Sequence, residues 1–204
     1  GDYDGSTRKL LKVGKDQAFH VIRLEAIKLI NGLGPDTRFG IIRWSGSARS
    51  WKPELVRATD ENKAAARTHI ETEVDANSAP PTGGKPGGTR HDYALTELLR
   101  LNPETAFMLT DGNATASQPG GGMTTIPAKT LTGLLEDASD ERETLPRIHT
   151  IYYLTGADKK EEEDMLKDIA RKTKGRFRKV EAAGLAAAQK QKEKDKDRRD
   201  DRRR

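Results

Sequence analysis

Two side chains in the 204-residue sequence combine residue type and position in a way that suggests chemistry. Thr89 follows Gly87-Gly88 and opens a helix-like run, while Asp111 follows the apolar run Ala106-Phe107-Met108-Leu109 and precedes Gly112. The glycines let the backbone turn tightly, which puts the Thr89 hydroxyl near a helix N-terminus. The Asp111 carboxylate should emerge where its strand ends. In open α/β sheets ligands bind beyond the carboxyl ends of the strands, where the strand order reverses. A hard cation such as Mg²⁺ takes near-octahedral oxygen ligands and keeps several waters, so a hydroxyl and a carboxylate at that place could form half of the protein's share of such a site. Each residue also has a plainer use, Thr89 as a helix cap and Asp111 as a turn-former before Gly112.

Other chemistry-bearing residues form weaker patterns. Asp2, Asp4 and Ser6, within Asp2-Tyr3-Asp4-Gly5-Ser6, are further oxygen ligands in principle, and are otherwise a linker. His20, His69, His91 and His149 show no HxxxH or HxH spacing and read as core or surface residues; His91 stands out for its nearness to Thr89. The absence of cysteine excludes disulfides and thiolate metal sites. Neither a GxxxxGK[ST] loop nor a Ser-His-Asp order supports catalysis.

The elements that must position these residues alternate in type. Apolar residues at helical spacing (Phe19, Ile22, Ala26, Ile27, Ile30, Leu33) predict a helix within 10–33, stopped by Gly32, Gly34 and Pro35. Residues 38–44 read as a short buried strand and 48–51 as its hairpin partner. A polar helix over 61–74 has Thr59 and Asp60 as capping candidates. The stretch 77–88, with three prolines and four glycines, is a loop. A helix over 92–101, a strand over 105–110, a flexible stretch at 117–122 and a helix over 128–138 follow. The series closes with a strand at 148–154, a helix at 161–173 and a strand at 176–180. This order argues for a three-layer α/β fold with a mostly parallel sheet, edged by the 38–51 hairpin.

Residues 189–204 carry nine Lys/Arg against five Asp/Glu, so most of the net charge of +5 lies in this tail and the body is nearly neutral. Residues 188–204 have almost nothing apolar to bury, and the charged tail 182–204 is expected to be a frayed helix or disordered. Interspersed acids and missing aromatics argue against specific nucleic-acid binding. No apolar run approaches the roughly 18 residues that span a bilayer.

Together, Gly88-Thr89 opening one helix and Leu109-Thr110-Asp111-Gly112 closing the next strand resemble the von Willebrand factor A family. The likeness extends from about residue 24 to 180 and is nearest to the bacterial type. It includes an RFGIIRWS-like strand, the 58–70 segment before the GGT loop, an IHTI strand and a Thr173-Lys174-Gly175 turn. The resemblance implies a doubly wound domain over residues 7–181, with 1–6 as linker. It also implies a divalent-metal site (Mg²⁺, or Mn²⁺ or Ca²⁺) whose ligands come from three loops. Thr89 and Asp111 would be the second and third contributions, with a carboxylate of a protein partner completing the shell. The expected activity is therefore binding, not catalysis, as part of a larger protein; domains resembling this one occur in bacteria within surface-associated or assembly-related proteins, and the sequence itself names no compartment.

The sequence departs from that family at its start. No apolar strand precedes the first helix, and no DxSxS occurs, so the central first strand is expected to be missing. Its three or four large apolar side chains, at roughly 1.5–3 kcal/mol each, amount to about 5–12 kcal/mol, against about 5–15 kcal/mol of net stability for a whole domain. The expectation is a marginal fold, or a differently filled slot. Two other readings stand beside this one. The fold could act as a metal-independent scaffold for assembly. Alternatively, Asp2-Tyr3-Asp4-Gly5-Ser6 resembles the DxDGT/S loop of haloacid-dehalogenase-like phosphohydrolases, in which Asp2 would attack phosphorus and Asp4 would handle the leaving-group proton.

Overall fold

The computed structural model describes residues 17–73, 88–112, 114–118, 120–154 and 159–181. Asp2, Asp4, Ser6, most of the 77–88 loop and the charged tail lie outside them. Helix α1 (Gln17–Asn31) leads to β1 (Arg38–Phe39), β2 (Ile42–Trp44), β3 (Ala48–Ser50) and β4 (Val56–Arg57). Next come α2 (Asp60–Glu73), α3 (His91–Leu101) and β5 (Thr105–Thr110). A small hairpin, β6 (Thr115–Ser117) with β7 (Met123–Thr125), precedes α4 (Ala128–Glu141), β8 (Arg147–Leu154), α5 (Lys160–Lys172) and β9 (Phe177–Glu181).

Strands β5, β8 and β9 form a parallel sheet with β8 in the middle, in the register Met108 opposite Thr150 and Tyr152 opposite Lys179. Alternation along the strands divides their side chains between two faces. Met108, Ile148 and Tyr152 point into the main core with Leu95 of α3, Leu131 and Leu135 of α4, and Leu166 and Ile169 of α5. On the opposite face Tyr153 is buried, and burial together with Glu25 of α1 pushes its phenol up to about 12. Helices thus cover both faces, as the alternating pattern predicts.

A second core joins Ile27 and Ile30 of α1, Phe39 of β1, and Ala66 and Ile70 of α2. Thr59 caps α2, its hydroxyl accepting the Asn62 N–H at 3.2 Å. The 38–44 strand is divided in the structure: β1 pairs antiparallel with β4, and β2 with β3. Gly40 and Ile41 separate the two pairings, which is why a single strand reading covers both. Helix α3 packs against β2 and β3, and the Ser50 hydroxyl donates to Glu97 at 2.5 Å.

Among the described residues, β5 is bonded to β8 and not to the β2–β3 hairpin. An interior strand of a parallel sheet is covered on both faces. Here all three residues of β2 are only half-buried, and Phe107 of β5 remains 48% exposed. Among the described residues, no strand pairs with the other edge of β5.

A candidate metal-binding rim

Three segments meet at the carboxyl end of the parallel strands. The Arg90 N–H, opening α3, donates to the Ser45 carbonyl just past β2 at 2.7 Å. The imidazole of His91 reaches from the same loop to Thr110, the last residue of β5. Thr89 and Asp111 therefore lie at one rim.

The Thr89 backbone is held from several sides. Its N–H donates to the Thr115 hydroxyl at 3.0 Å, and its carbonyl accepts the Thr115 N–H at 3.0 Å. That carbonyl also faces the backbone N–H of His91 and the ring Nδ1, each at 3.0 Å. Gly88 makes the approach to the β6–β7 hairpin feasible: at φ +84°, a Cβ there would stand 2.4 Å from the Thr115 carbonyl oxygen. The hydroxyl of Thr89, by contrast, has no hydrogen-bond partner among the described residues. The residue at the N-cap of α3 is Arg90, with no side-chain cap, so Thr89 does not serve as the helix cap its position suggests.

Asp111 is half-buried directly after β5, in a turn fixed by its neighbours. The Gly112 N–H donates to the Thr110 hydroxyl at 3.1 Å, and that hydroxyl lies 3.1 Å from His91 Nε2. His91 is fully buried, with Trp44 packed edge-on at 5.9 Å. Burial holds its pKa below the ordinary value, although the Thr89 carbonyl and the charges of Asp111, Asp92 and Glu162 pull it upward. A buried imidazole stays neutral when desolvation outweighs such partners.

Around this centre, Arg90 forms a bidentate pair with Asp92, with Nε 2.8 Å from Oδ1, and lies 3.6 Å over the Tyr93 ring. Burial works against the Asp92 charge, yet the Arg90 guanidinium holds its carboxyl below the usual range. Glu162, in the first turn of α5, comes close to Gly112 and accepts from Lys159 at 2.9 Å. Sequence spacing gives no signal for Ser45, Thr115 or Glu162, because each reaches the rim through a separate element. His91 carries one signal, its place two residues after Thr89.

The donor set can be matched to a cation. A neutral hydroxyl and a carboxylate suit a hard divalent ion that keeps much of its water. No group of three or more His, Cys, Asp or Glu gathers around a common point among the described residues. The rim therefore offers part of a shell, with water or incoming oxygens to fill the rest. Asp2, Asp4 and Ser6 fall outside the described residues, so they are not placed relative to it.

No protein-family model matches the chain, and no curated protein matches it. Among solved structures, a von Willebrand factor type A protein from Catenulispora acidiphila is similar, with TM-score 0.57 and 20% identity over 80% of this chain. This chain spans 34% of that one. A conserved hypothetical protein from Bacteroides thetaiotaomicron, BatB, is similar with TM-score 0.51 and 18% identity, over 88% of this chain and 89% of its own. At such identities the likeness is one of fold. No helix among the described residues is long and apolar enough to cross a membrane.

Proposed function

We propose that this chain, whose fold is that of the von Willebrand factor type A domain, is a protein-binding module rather than an enzyme. It engages its partner through a divalent cation at the rim of Thr89 and Asp111. One observation carries the reading: the Thr89 backbone is fixed by bonds to Thr115 and His91, while among the described residues its hydroxyl has no partner beside the strand end that bears Asp111.

A bound Mg²⁺, Mn²⁺ or Ca²⁺ supplies positive charge and exchangeable water positions. Thr89 contributes a neutral oxygen and Asp111 a single negative charge, so the site keeps a net positive charge and favours a partner's carboxylate. The rim binds and orients. Under the same reading, a further strand pairs with the other edge of β5 and brings the remaining ligands to the rim. The match to a third of a longer chain supports a module within a larger protein.

A second reading is the metal-independent scaffold, raised because no three His, Cys, Asp or Glu side chains among the described residues are placed to hold a metal together. Titration with Mn²⁺, followed by thermal unfolding, separates the two. The metal reading expects saturable stabilisation, about 2.7 kcal/mol at a hundredfold excess over Kd, that disappears in Asp111→Ala. Equal stabilisation of Asp111→Ala, or none in the unaltered chain, leaves the scaffold. The phosphohydrolase alternative rests on Asp2 and Asp4 and gains no support from the fold likeness.

A further inference from the structure

We infer that His91 is the positioning residue of the rim, an imidazole that pins the Thr89 loop to the end of β5 and so sets the spacing between the Thr89 hydroxyl and the Asp111 carboxylate. The inference deepens the metal-binding reading and rests on it for its functional meaning.

The Thr89 carbonyl is an acceptor only, so His91 Nδ1, 3.0 Å away, carries a proton and donates. The other ring nitrogen, Nε2, is hydrogen-bonded to the Thr110 hydroxyl at 3.1 Å. That hydroxyl in turn accepts the Gly112 N–H at 3.1 Å. The bonds link Gly112, Thr110, His91 and Thr89 in series, and they cross from the strand end to the loop. The two ends of this relay are the immediate neighbours of Asp111 and Thr89 itself. With Trp44 against the ring and no exposure to solvent, water cannot replace either bond.

A buried histidine with both nitrogens bonded is most often simply a satisfied core residue. What sets this one apart is where its partners lie: on two separate segments, each carrying a candidate ligand. Groups that orient ligands from behind typically govern metal affinity by 10–100-fold. A core role would govern stability alone.

His91→Leu fills the space without either bond, while His91→Asn keeps a donor near the Nδ1 position. The expected result is that His91→Leu weakens Mn²⁺ binding roughly tenfold or more, at an unfolding temperature that still marks a folded protein, and that His91→Asn recovers part of the loss. Undiminished affinity in His91→Leu, where Asp111→Ala abolishes binding, overturns the inference. A metal-independent readout judges it if the unaltered chain binds no Mn²⁺, an outcome that counts against the metal reading instead. In that readout, ¹⁵N shifts should identify the Nδ1–H tautomer. Amide exchange at Gly112 and Thr115 should quicken roughly tenfold in His91→Leu, with Ile148 unchanged. The opposite tautomer, or unaltered exchange at both amides, also overturns it.

Discussion

Thr89 and Thr115 exchange two hydrogen bonds, the Thr89 N–H donating to the Thr115 hydroxyl and the Thr115 N–H to the Thr89 carbonyl, each at 3.0 Å. This reciprocal pair joins the loop before α3 to the β6–β7 hairpin, two segments separated by all of α3 and β5. Only the first bond depends on a side chain. Thr115→Val keeps the shape and removes that bond, leaving a partly buried N–H unpaired at a cost of about 1–3 kcal/mol. Chemical denaturation should show a loss in that range, and the Mn²⁺-dependent stabilisation should shrink with it. A neutral Thr115→Val would mean that the hairpin does not hold the loop.

Gly175 is expected to be the least replaceable glycine. It follows α5 in a turn whose left-handed residue is Lys174, at φ 56°, so the glycine is not there for its own φ. The reason is space: a Cβ at Gly175 would lie 1.8 Å from the Ile148 carbonyl oxygen, which is backbone of the central strand and cannot swing away. Gly175→Ala should abolish cooperative unfolding or lower its midpoint severely. Gly133, inside α4 with nothing within 4 Å of an added Cβ, is the control. Gly133→Ala should stabilise by up to about 1 kcal/mol through helix propensity. Equal effects at the two positions would contradict this account.

Acid sensitivity should centre on Glu97. The Arg100 side chain, aided by the Ser50 hydroxyl, holds its carboxyl at about 2 against burial, well below the ordinary 4.5. A depressed folded pKa means that the unfolded chain takes up the proton first, so the contribution is complete above pH 4.5. It is lost as the pH falls from there toward about 2. The pair is open to solvent, which limits its worth to about 1 kcal/mol. Ser50→Ala should shift the acid limb of the stability profile to higher pH while leaving neutral stability within about 1 kcal/mol. An unmoved acid limb would show that Ser50 does not reach Glu97 in solution.

How much of this was legible in the sequence depended on whether a segment's own pattern decided its structure. The continuous apolar run at β5 and the helical stripe of α5 are strong local signals, and the structure places them within a residue of the expected bounds. The β6–β7 hairpin was not legible, because Thr-Ala-Ser and Met-Thr-Thr carry no apolar alternation and the glycines between them read as a flexible stretch. Its strands are held by backbone pairing and by the reciprocal bonds to Thr89, partners that no window of sequence contains. At the rim, residue type and strand-end position pointed to Thr89 and Asp111. The relay between them could not be read, since His91 and Thr110 are adjacent only once α3 packs beside β5. The capping alternative for Thr89 failed for a local reason: α3 starts two residues later, with Arg90 at its N-cap.

The last prediction concerns the open side of β5. A strand inside a parallel sheet directs its backbone groups alternately to the neighbours on its two sides. Strand β8 has both neighbours, β5 and β9, whereas β5 has β8 alone among the described residues. Amide exchange along residues 105–110 should therefore alternate, every second amide exchanging roughly tenfold or more faster than its neighbours, while residues 148–153 of β8 are protected throughout. Side chains give an independent measure. Phe107, 48% exposed and stacked on His149 at 5.1 Å, should lose no more than about 1 kcal/mol on replacement by Ala, against about 3–5 kcal/mol for a fully buried phenylalanine. Leu131, with no exposure, should cost about 2–5 kcal/mol in the same assay. Uniform protection of β5, together with a large Phe107→Ala loss, would mean that the edge is already covered. That edge of β5 would then be no place for a further strand.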